Sequence, residues 1–387
     1  MSETTGGDEE TVISMEDVEV HFDSSASFLD GIFGEPDKVK AVDGVSLEIT
    51  ENEVVALVGE SGCGKTTLGK TAIAAQRPTG GSVKFRGQDV WDAKDGKGDV
   101  QIPHEEIRKS LQIIHQDPGS SLNPNRKVVK ILEAPLKRHN KDLNIQDRRA
   151  RIHGMLETVG MTPPEDYSHR YPHQLSGGEK QRVALIRALL MNPDLILADE
   201  AISALDVSLR IEMMDLFLEL QDMFDTSFVF ISHDLSNAWY LTEKADGLIG
   251  IMYLGKLVEI GPAREILENP QHPYTKALMW ATPDLAMTAD DDEMPLRSID
   301  VPDPVDPPTG CRFHTRCPEA REACKTEMPP LDAVEADASG RHNAACYRIY
   351  DDHEYWDSEP LPLEEEEDEE AGDAAGDDGA AAFGSGD

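Results

Sequence analysis

Residues 59–66 read Gly59-Glu60-Ser61-Gly62-Cys63-Gly64-Lys65-Thr66 and fit the pattern G-x-x-x-x-G-K-[ST]. They follow the apolar run Val54–Val58, which is typical of a buried strand, and precede a predicted helix over residues 66–76. In such a unit the glycines let backbone N–H groups wrap a phosphate, and the helix start adds a positive dipole end. The sequence therefore predicts a phosphate-binding loop within an α/β fold.

The side chains of this loop have separate expected roles. Lys65 is expected to reach the β- and γ-phosphates, and the Thr66 hydroxyl is expected to bind Mg²⁺. Cys63 is interpreted as a small spacer rather than a reactive thiol. The predicted ATP-binding residues here are Gly59, Glu60, Ser61, Gly62, Cys63, Gly64, Lys65, Thr66 and Thr67.

Two carboxylates follow a second apolar run, Leu195-Ile196-Leu197-Ala198, in the form of Asp199 and Glu200. At the end of a buried strand they would lie beside bound phosphates, where Asp199 suits Mg²⁺ and Glu200 suits the attacking water. His233 follows a third run, residues 228–231, and could hydrogen-bond a γ-phosphate. These three residues are therefore predicted members of the same site.

The stretch Leu175-Ser176-Gly177-Gly178-Glu179-Lys180-Gln181-Arg182 resembles the signature motif of ABC ATPases. Gln116 matches that family's Q-loop, residues 203–206 match its D-loop, and His233 matches its switch histidine, all in the family's order. The chain is identified by this resemblance as a member of the family. The implied fold is an α/β P-loop NTPase (RecA-like) ABC ATPase core with a β-subdomain and an α-helical subdomain at about 120–172.

The resemblance also implies site residues beyond the loop. Two ATPase subunits would face each other head to tail, with signature residues of one contacting ATP on the other. The implied catalytic residues are Glu200, His233 and Gln116, and the implied Mg²⁺ ligands are Thr66, Gln116 and Asp199. The further ATP-binding residues are Ser176, Gly177, Gly178, Asp206 and Phe22, whose ring is expected to stack on adenine.

Three further stretches are similar to the ATPases of oligopeptide and dipeptide importers, in particular to the second of their two ATPase subunits: residues 39–46, 116–124 and 269–278. The implied function is ATP hydrolysis that powers peptide import, from the cytoplasmic face of the membrane. The implied partners are a paired ATPase subunit (a different chain or a second copy), two transmembrane permease subunits and an extracellular solute-binding protein. The same subunit type also serves nickel chelates, glutathione or sugars, so the cargo stays open.

A non-transport ABC ATPase of DNA repair or translation is the alternative class. The chain has one cassette and no heptad run. It carries 36 Lys+Arg against 75 Asp+Glu, a net charge of −39, which is unsuited to a nucleic-acid partner. The sequence therefore favours transport.

Cys311, Cys317, Cys324 and Cys346 cluster near the end of the chain. Their spacing does not match a paired C-x2-C zinc ribbon. Four thiolates can hold a 4Fe-4S cluster, and the segment resembles that of importer ATPases in which such a quartet does so. Zinc, with His314 or His342 as a further ligand, and thiols that are unmetallated or disulfide-paired are the alternatives.

The acidic residues are most concentrated at the end of the chain, but they are not confined to it. Residues 351–387 carry sixteen acidic residues and no Lys or Arg, yet the remainder is also acidic. Excess carboxylates keep a protein hydrated in a salty cytoplasm, which favours a halophilic archaeon as the source. We expect no secretory signal in residues 1–11 and no spanning helix in the sequence.

These patterns predict five regions along the chain. They are a disordered start at 1–11, the ABC ATPase domain at 12–261, the His-Pro-Tyr segment with a Pro/Asp-rich linker at 262–308, the four-cysteine module at 309–350, and an acidic disordered tail at 351–387.

Overall fold

The computed structural model describes residues 10–23, 38–282, 296–335 and 340–362. Most of the predicted disordered start, part of the predicted linker, and the tail from residue 363 onward lie outside the described residues. None of the helices in these described ranges combines the length and the hydrophobicity that a membrane-spanning helix requires.

Strands and helices alternate along most of the chain. The strands are β1 (Thr11–Asp23), β2 (Lys38–Thr50), β3 (Val54–Val58), β4 (Gly80–Phe85), β5 (Gln88–Asp89), β6 (Leu111–Ile114), β7 (Leu195–Asp199), β8 (Ser227–Ser232), β9 (Leu248–Tyr253), β10 (Lys256–Pro262), β11 (Asp332–Ala333) and β12 (Asn343–Ala344). The helices are α1 (Lys65–Ala72), α2 (Val90–Asp95), α3 (His104–Ser110), α4 (Pro118–Ser121), α5 (Val128–His139), α6 (Ile145–Thr158), α7 (Pro164–His169), α8 (Gly177–Leu189), α9 (Val207–Phe224), α10 (Leu235–Ala245), α11 (Ala263–Glu268) and α12 (Pro273–Trp280).

The main sheet has the order β11-β12-β10-β9-β3-β8-β7-β6. Its strands β9, β3, β8, β7 and β6 run parallel, and every residue of β3, β7 and β9 is buried. Strands covered on both faces need continuous apolar runs, which explains why these segments do not alternate in polarity. The carboxyl ends of the parallel strands meet at one edge, where ligands bind in open α/β sheets.

A second, antiparallel sheet has the order β2-β1-β4-β5. Its inner side chains, including those of Val20 and Phe85, share a hydrophobic core with the first helix and one face of the main sheet. On the other face, α5, α6 and α8 pack with α9 and α10 around a second core. The predicted P-loop α/β fold is thus confirmed in outline, and helices with loops occupy the stretch in which the helical subdomain was expected.

The C-terminal residues extend the main sheet rather than standing apart from it. Strand β12 pairs with β10, and β11 pairs with β12. The chain then continues along this region beyond residue 350, where we had expected the tail to start. Tyr355 is buried, and the backbone N–H of Leu361 donates to the carbonyl of Ala320 at 2.9 Å. Tyr355 and Leu361 thus join this segment to the folded body, although most of residues 351–362 are exposed.

Candidate functional site

The predicted phosphate loop lies at the carboxyl end of β3 and leads directly into α1, as the sequence indicated. Two of its glycines leave no room for a side chain. A Cβ on Gly59 would lie 2.1 Å from the carbonyl oxygen of Met252, and one on Gly64 would lie 2.0 Å from that of Ala41. Gly64 also has a φ of 108°, which glycine adopts without strain. The loop is therefore held tightly against two neighbouring backbone segments.

Lys65 is buried and points back into its own loop. Its ammonium donates to the carbonyl oxygens of Gly59 at 2.7 Å and Glu60 at 2.9 Å. Burial raises the pKa of the nearby Cys63 thiol, whose sulfur lies 3.7 Å from the ammonium. The cation thus lies inside the loop, where it can exchange carbonyl partners for phosphate oxygens.

The two predicted Mg²⁺ ligands on neighbouring elements contact each other. The Thr66 hydroxyl at the start of α1 donates to a carboxylate oxygen of Asp199, the last residue of β7, at 2.9 Å. Hydroxyl and carboxylate oxygens are ligands that Mg²⁺ prefers. These two residues fit a magnesium site beside the phosphate loop.

A second cluster of polar side chains surrounds Glu200, the residue after Asp199. Nε2 of Gln116 donates to Oε2 of Glu200 at 2.8 Å, and Nδ1 of His233 lies 3.8 Å from Oε1 of Glu200. Gln116 follows β6, Glu200 follows β7 and His233 follows β8, so three adjacent strand ends supply the cluster. Glu200 has a φ of 48°, a left-handed conformation that is unusual for this residue type. One oxygen of the Glu200 carboxylate is thus hydrogen-bonded to Gln116, and the other lies near His233.

The signature and D-loop residues lie at helix starts. Ser176 caps α8: its hydroxyl accepts from the N–H of Glu179 at 3.2 Å, while the Glu179 carboxylate accepts from the N–H of Ser176 at 2.7 Å. Ser176 and Gly177 are exposed, and Gly178 is buried. Asp206 caps α9 by accepting from the N–H of Leu209 at 3.1 Å. An exposed helix start with small residues can accept an anion from a facing molecule.

Phe22, the predicted adenine-stacking residue, lies near the end of β1 opposite Val39 of β2. Phe22 is 42% exposed, which is unusual for a residue with a large apolar side chain. The ring is therefore free to take a flat partner, although no hydrogen bond or ring contact joins it to the phosphate loop among the described residues.

Two residues that sequence reasoning missed hold the phosphate loop from the C-terminal side. The Tyr274 hydroxyl accepts from the backbone N–H of Glu60 at 2.9 Å. The Arg316 guanidinium donates to both carboxylate oxygens of Glu60, at 2.9 and 3.0 Å. Glu60, predicted as an ATP-binding residue, thus directs both its N–H and its side chain away from the loop centre. The sequence separation of 256 positions between Glu60 and Arg316 gave no local signal for this pair.

Glu259 of β10 connects this support to the His-Pro-Tyr segment. Its fully buried carboxylate accepts from the N–H groups of Gln271 and His272, the hydroxyl of Thr275 and the Nε2 of His342, at 2.5–2.9 Å. Burial lowers the pKa of His272 to about 4, so its ring is neutral at pH 7. One buried carboxylate therefore joins β10, the start of α12 and the C-terminal residues.

The four clustered cysteines line one narrow cavity of about 20 Å³, together with His272 and His314. They are free thiols, and burial raises the pKa of each, to about 11 for Cys346. That volume admits about one water molecule and no iron–sulfur cluster. No group of three or more His, Cys, Asp or Glu in the described part of the chain is arranged to hold a metal ion.

The structure therefore does not support the expected 4Fe-4S cluster, or zinc, in this arrangement of the thiols. It also adds His272 to the predicted His314 as a histidine beside the thiols. Nε2 of His272 lies 4.0 Å from the sulfur of Cys311, whereas His342 faces Glu259. A buried carboxylate takes the Nε2 of His342, so His342 as a zinc ligand stays an untested prediction.

Comparison with known families agrees with the motifs. Residues 42–203 match the family described as ABC transporter, and residues 258–324 match the family described as the C-terminal region of oligopeptide/dipeptide transporters. The second match includes the His-Pro-Tyr segment and the first three of the clustered cysteines.

Individual proteins match over nearly their whole length. The oligopeptide transport ATP-binding protein AppF of Bacillus subtilis (strain 168) is 38% identical, over 89% of this chain and 99% of AppF. The di/tripeptide transport ATP-binding protein DppF of Pseudomonas aeruginosa (strain UCBPP-PA14) is 40% identical, over 87% of this chain and 98% of DppF. An ATP-binding cassette solved as a dimer in a post-hydrolysis state with ADP and Pi matches with a TM-score of 0.52 and 25% identity, over 65% of this chain and 99% of that one.

Proposed function

Since this chain belongs to the ATP-binding proteins of the ABC transporter family, within the oligopeptide/dipeptide branch, we propose that it hydrolyses ATP to power peptide import. The observation that carries this proposal is the convergence of Thr66 with Asp199, and of Gln116 and His233 with Glu200, beside the phosphate loop. These are the groups that phosphoryl transfer to water requires.

The residues divide into holding and reacting groups. Lys65 and the loop N–H groups hold the triphosphate, and Thr66 and Asp199, with Gln116, would hold Mg²⁺, which would supply positive charge to the phosphate oxygens. Glu200 orients the attacking water and accepts its proton, while His233 and Gln116 fix the carboxylate on either side. Phe22 stacks against the adenine ring.

A second ATPase subunit completes the site. Ser176, Gly177 and Gly178 contact the γ-phosphate bound by the partner subunit, and Asp206 lies near the same junction. Closure of the pair shields the water from bulk solvent, and hydrolysis removes the phosphate that bridges the subunits. The exposed start of α8, with its cap already formed, supports this proposal.

The test is Glu200→Gln in the assembled transporter. We expect turnover to fall at least 100-fold while ATP still binds, because a positioned base contributes about 10²–10⁴ in rate. Glu322→Gln, at an exposed surface pair with Lys325, is the matched control and should leave turnover unchanged. Unchanged turnover in Glu200→Gln would contradict the role of Glu200.

The proposed partners are a paired ATPase subunit, two transmembrane permease subunits and an extracellular solute-binding protein, with this chain at the cytoplasmic face. The likeness to AppF and DppF supports oligopeptides or dipeptides as cargo and the second ATPase subunit as its type. Uptake of labelled di- and oligopeptides by a deletion strain tests the cargo. Co-purification with the tagged chain tests the partners, and uptake that is unaffected by the deletion would contradict the proposal.

Metal binding by the four cysteines is a separate proposal, supported by their position around one cavity. A 4Fe-4S cluster would require the thiols to move apart and lose their protons, because the cavity as described is too small. Iron and zinc analysis of anaerobically purified protein, with its visible absorbance, tests this. A visible absorbance typical of iron–sulfur proteins, together with stoichiometric iron, supports the cluster. A colourless protein that contains neither iron nor zinc contradicts metal binding.

The acidic surface supports a halophilic archaeon as the source. Like charges repel one another within the folded chain, and salt screens that repulsion. We expect the unfolding midpoint to rise from 0.1 M to 2 M KCl. A protein that is equally stable and active at both concentrations would leave the acidity without this explanation.

A further inference from the structure

Arg316 is a buried residue of the C-terminal region that contacts the phosphate loop. Its side chain is 4% exposed and lies against the rings of Tyr253 and Phe313. Its guanidinium makes a bidentate pair with Glu60, the second residue of the loop. A bidentate Arg–carboxylate pair combines charge with fixed geometry, unlike an exposed ion pair.

A glutamate without a partner at position 60 would be unfavourable for ATP binding. The loop must receive a triphosphate, and a carboxylate in it adds negative charge that opposes binding. The remaining polar groups of Glu60 are committed as well: its N–H donates to Tyr274 and its carbonyl accepts from Lys65. An unpaired Glu60 side chain would therefore leave uncompensated negative charge in the loop.

We propose that Arg316 is a positioning residue for ATP binding, which neutralises Glu60 and, together with Tyr274, fixes the backbone of the phosphate loop. This inference rests on the proposed ATPase function and adds the C-terminal region to the nucleotide site. Arg316 acts through Glu60 and does not contact the nucleotide itself.

Arg316 lies close to the clustered cysteines. It lies one residue before Cys317, in a turn whose N–H groups at 316 and 317 donate to the carbonyl of Phe313. Cys311 lies shortly before this turn, and its sulfur contacts the ring of His272. His272 in turn precedes Tyr274 by two positions. The two supports of the loop thus both come from the segment that packs around the cysteines, so a shift of that segment would move the loop.

The test compares a single and a double variant of the full-length chain, with binding of a non-hydrolysable ATP analogue and Mg²⁺ measured by calorimetry. Arg316→Gln should weaken binding about tenfold, because it leaves the Glu60 carboxylate unpaired. Glu60→Gln combined with Arg316→Gln should recover affinity to within about threefold of wild type, since no charge is then left unpaired. In the assembled transporter, Arg316→Gln should raise KM for ATP with little change in kcat.

Arg321→Gln is the control, because Arg321 lies in the same region but donates to backbone carbonyls of Trp356 and Ser358. It should bind the analogue as wild type does. If Arg316→Gln does not fold, Arg316→Lys, which keeps the charge and loses the fork, should weaken binding about threefold.

The inference is overturned if the single Arg316 variant binds as wild type, or if the double variant binds no better than the single one. In the second case Arg316 would serve only to hold the C-terminal region in place. Failure of the wild-type chain itself to bind the analogue would instead overturn the proposed function, and the two failures are distinguishable.

Discussion

The buried carboxylate of Glu259 offers the sharpest test of how the C-terminal region is attached. Glu259→Gln keeps the shape of the side chain and replaces one acceptor oxygen with an NH₂ donor. One oxygen now accepts from the N–H of Gln271 and from His342; the other accepts from the N–H of His272 and the hydroxyl of Thr275.

Either orientation of the new amide leaves one backbone donor facing another donor. The Thr275 hydroxyl and the His342 ring can each turn from donor to acceptor, but the N–H of Gln271 or of His272 cannot. A buried donor left without an acceptor costs about 1–3 kcal/mol. The remaining hydrogen bonds also lose the charge of the acceptor, so we expect a total loss of at least about 2 kcal/mol.

The measurement is urea unfolding of the full-length chain, followed by circular dichroism and tryptophan fluorescence. A loss of this size is a substantial part of the usual 5–15 kcal/mol. Glu322→Gln, at an exposed pair, should change the free energy of unfolding by less than about 0.5 kcal/mol. A loss below about 1 kcal/mol for Glu259→Gln would refute the assignment of Glu259 as the acceptor that joins these segments.

Two further predictions concern single residues. Gly64→Ala should abolish ATP binding, because the new Cβ would lie 2.0 Å from the carbonyl oxygen of Ala41. Gly62→Ala should retain ATP binding, because its Cβ meets nothing within 4 Å, and should cost about 1–2 kcal/mol of stability for its φ of 81°. Equal binding by both variants would contradict the steric argument. For Glu133, burial alone would raise the pKa, but hydrogen bonds and charges of two lysines outweigh it and lower the pKa below its usual value. Its stabilising contribution is therefore present above about pH 4.5 and lost as pH falls through the lowered pKa. Glu133→Gln should destabilise the chain by about 1–2 kcal/mol at pH 7 and by less at pH 3, as measured by thermal unfolding; a constant difference would contradict this pairing.

The predicted residues on the nucleotide side of the site lie close together because that side is built from local units. A strand, a glycine-rich turn and a helix start are continuous in the chain around Lys65, and Asp199 and His233 each follow a recognisable apolar run. Parallel strands bring their carboxyl ends to one edge, so the residues after them meet without any further signal. The family supplied the roles of these residues, which stay predictions until variants are assayed.

The sequence could not predict the support behind the loop. The contacts of Tyr274 and Arg316 with Glu60 span 214 and 256 positions and depend on how the C-terminal residues pack. Glu259 likewise looks like an alternating polar residue in a strand, yet it is fully buried, because its partners come from two later segments. The acidic composition of residues 351–362 likewise gave no indication that Tyr355 is buried, since most residues around it are exposed.

The pairing of β12 with β10 also bears on solubility. Without it, β10 would be an open edge strand, with five consecutive buried residues and a row of unpaired backbone groups. Such edges recruit strands from other molecules and lead to aggregation. The short β12 and β11 cover that edge with two residues each, and charged Asp332 lies in the outermost strand. We therefore expect a cassette cut after residue 310 to expose this edge and to self-associate more readily than the full-length chain.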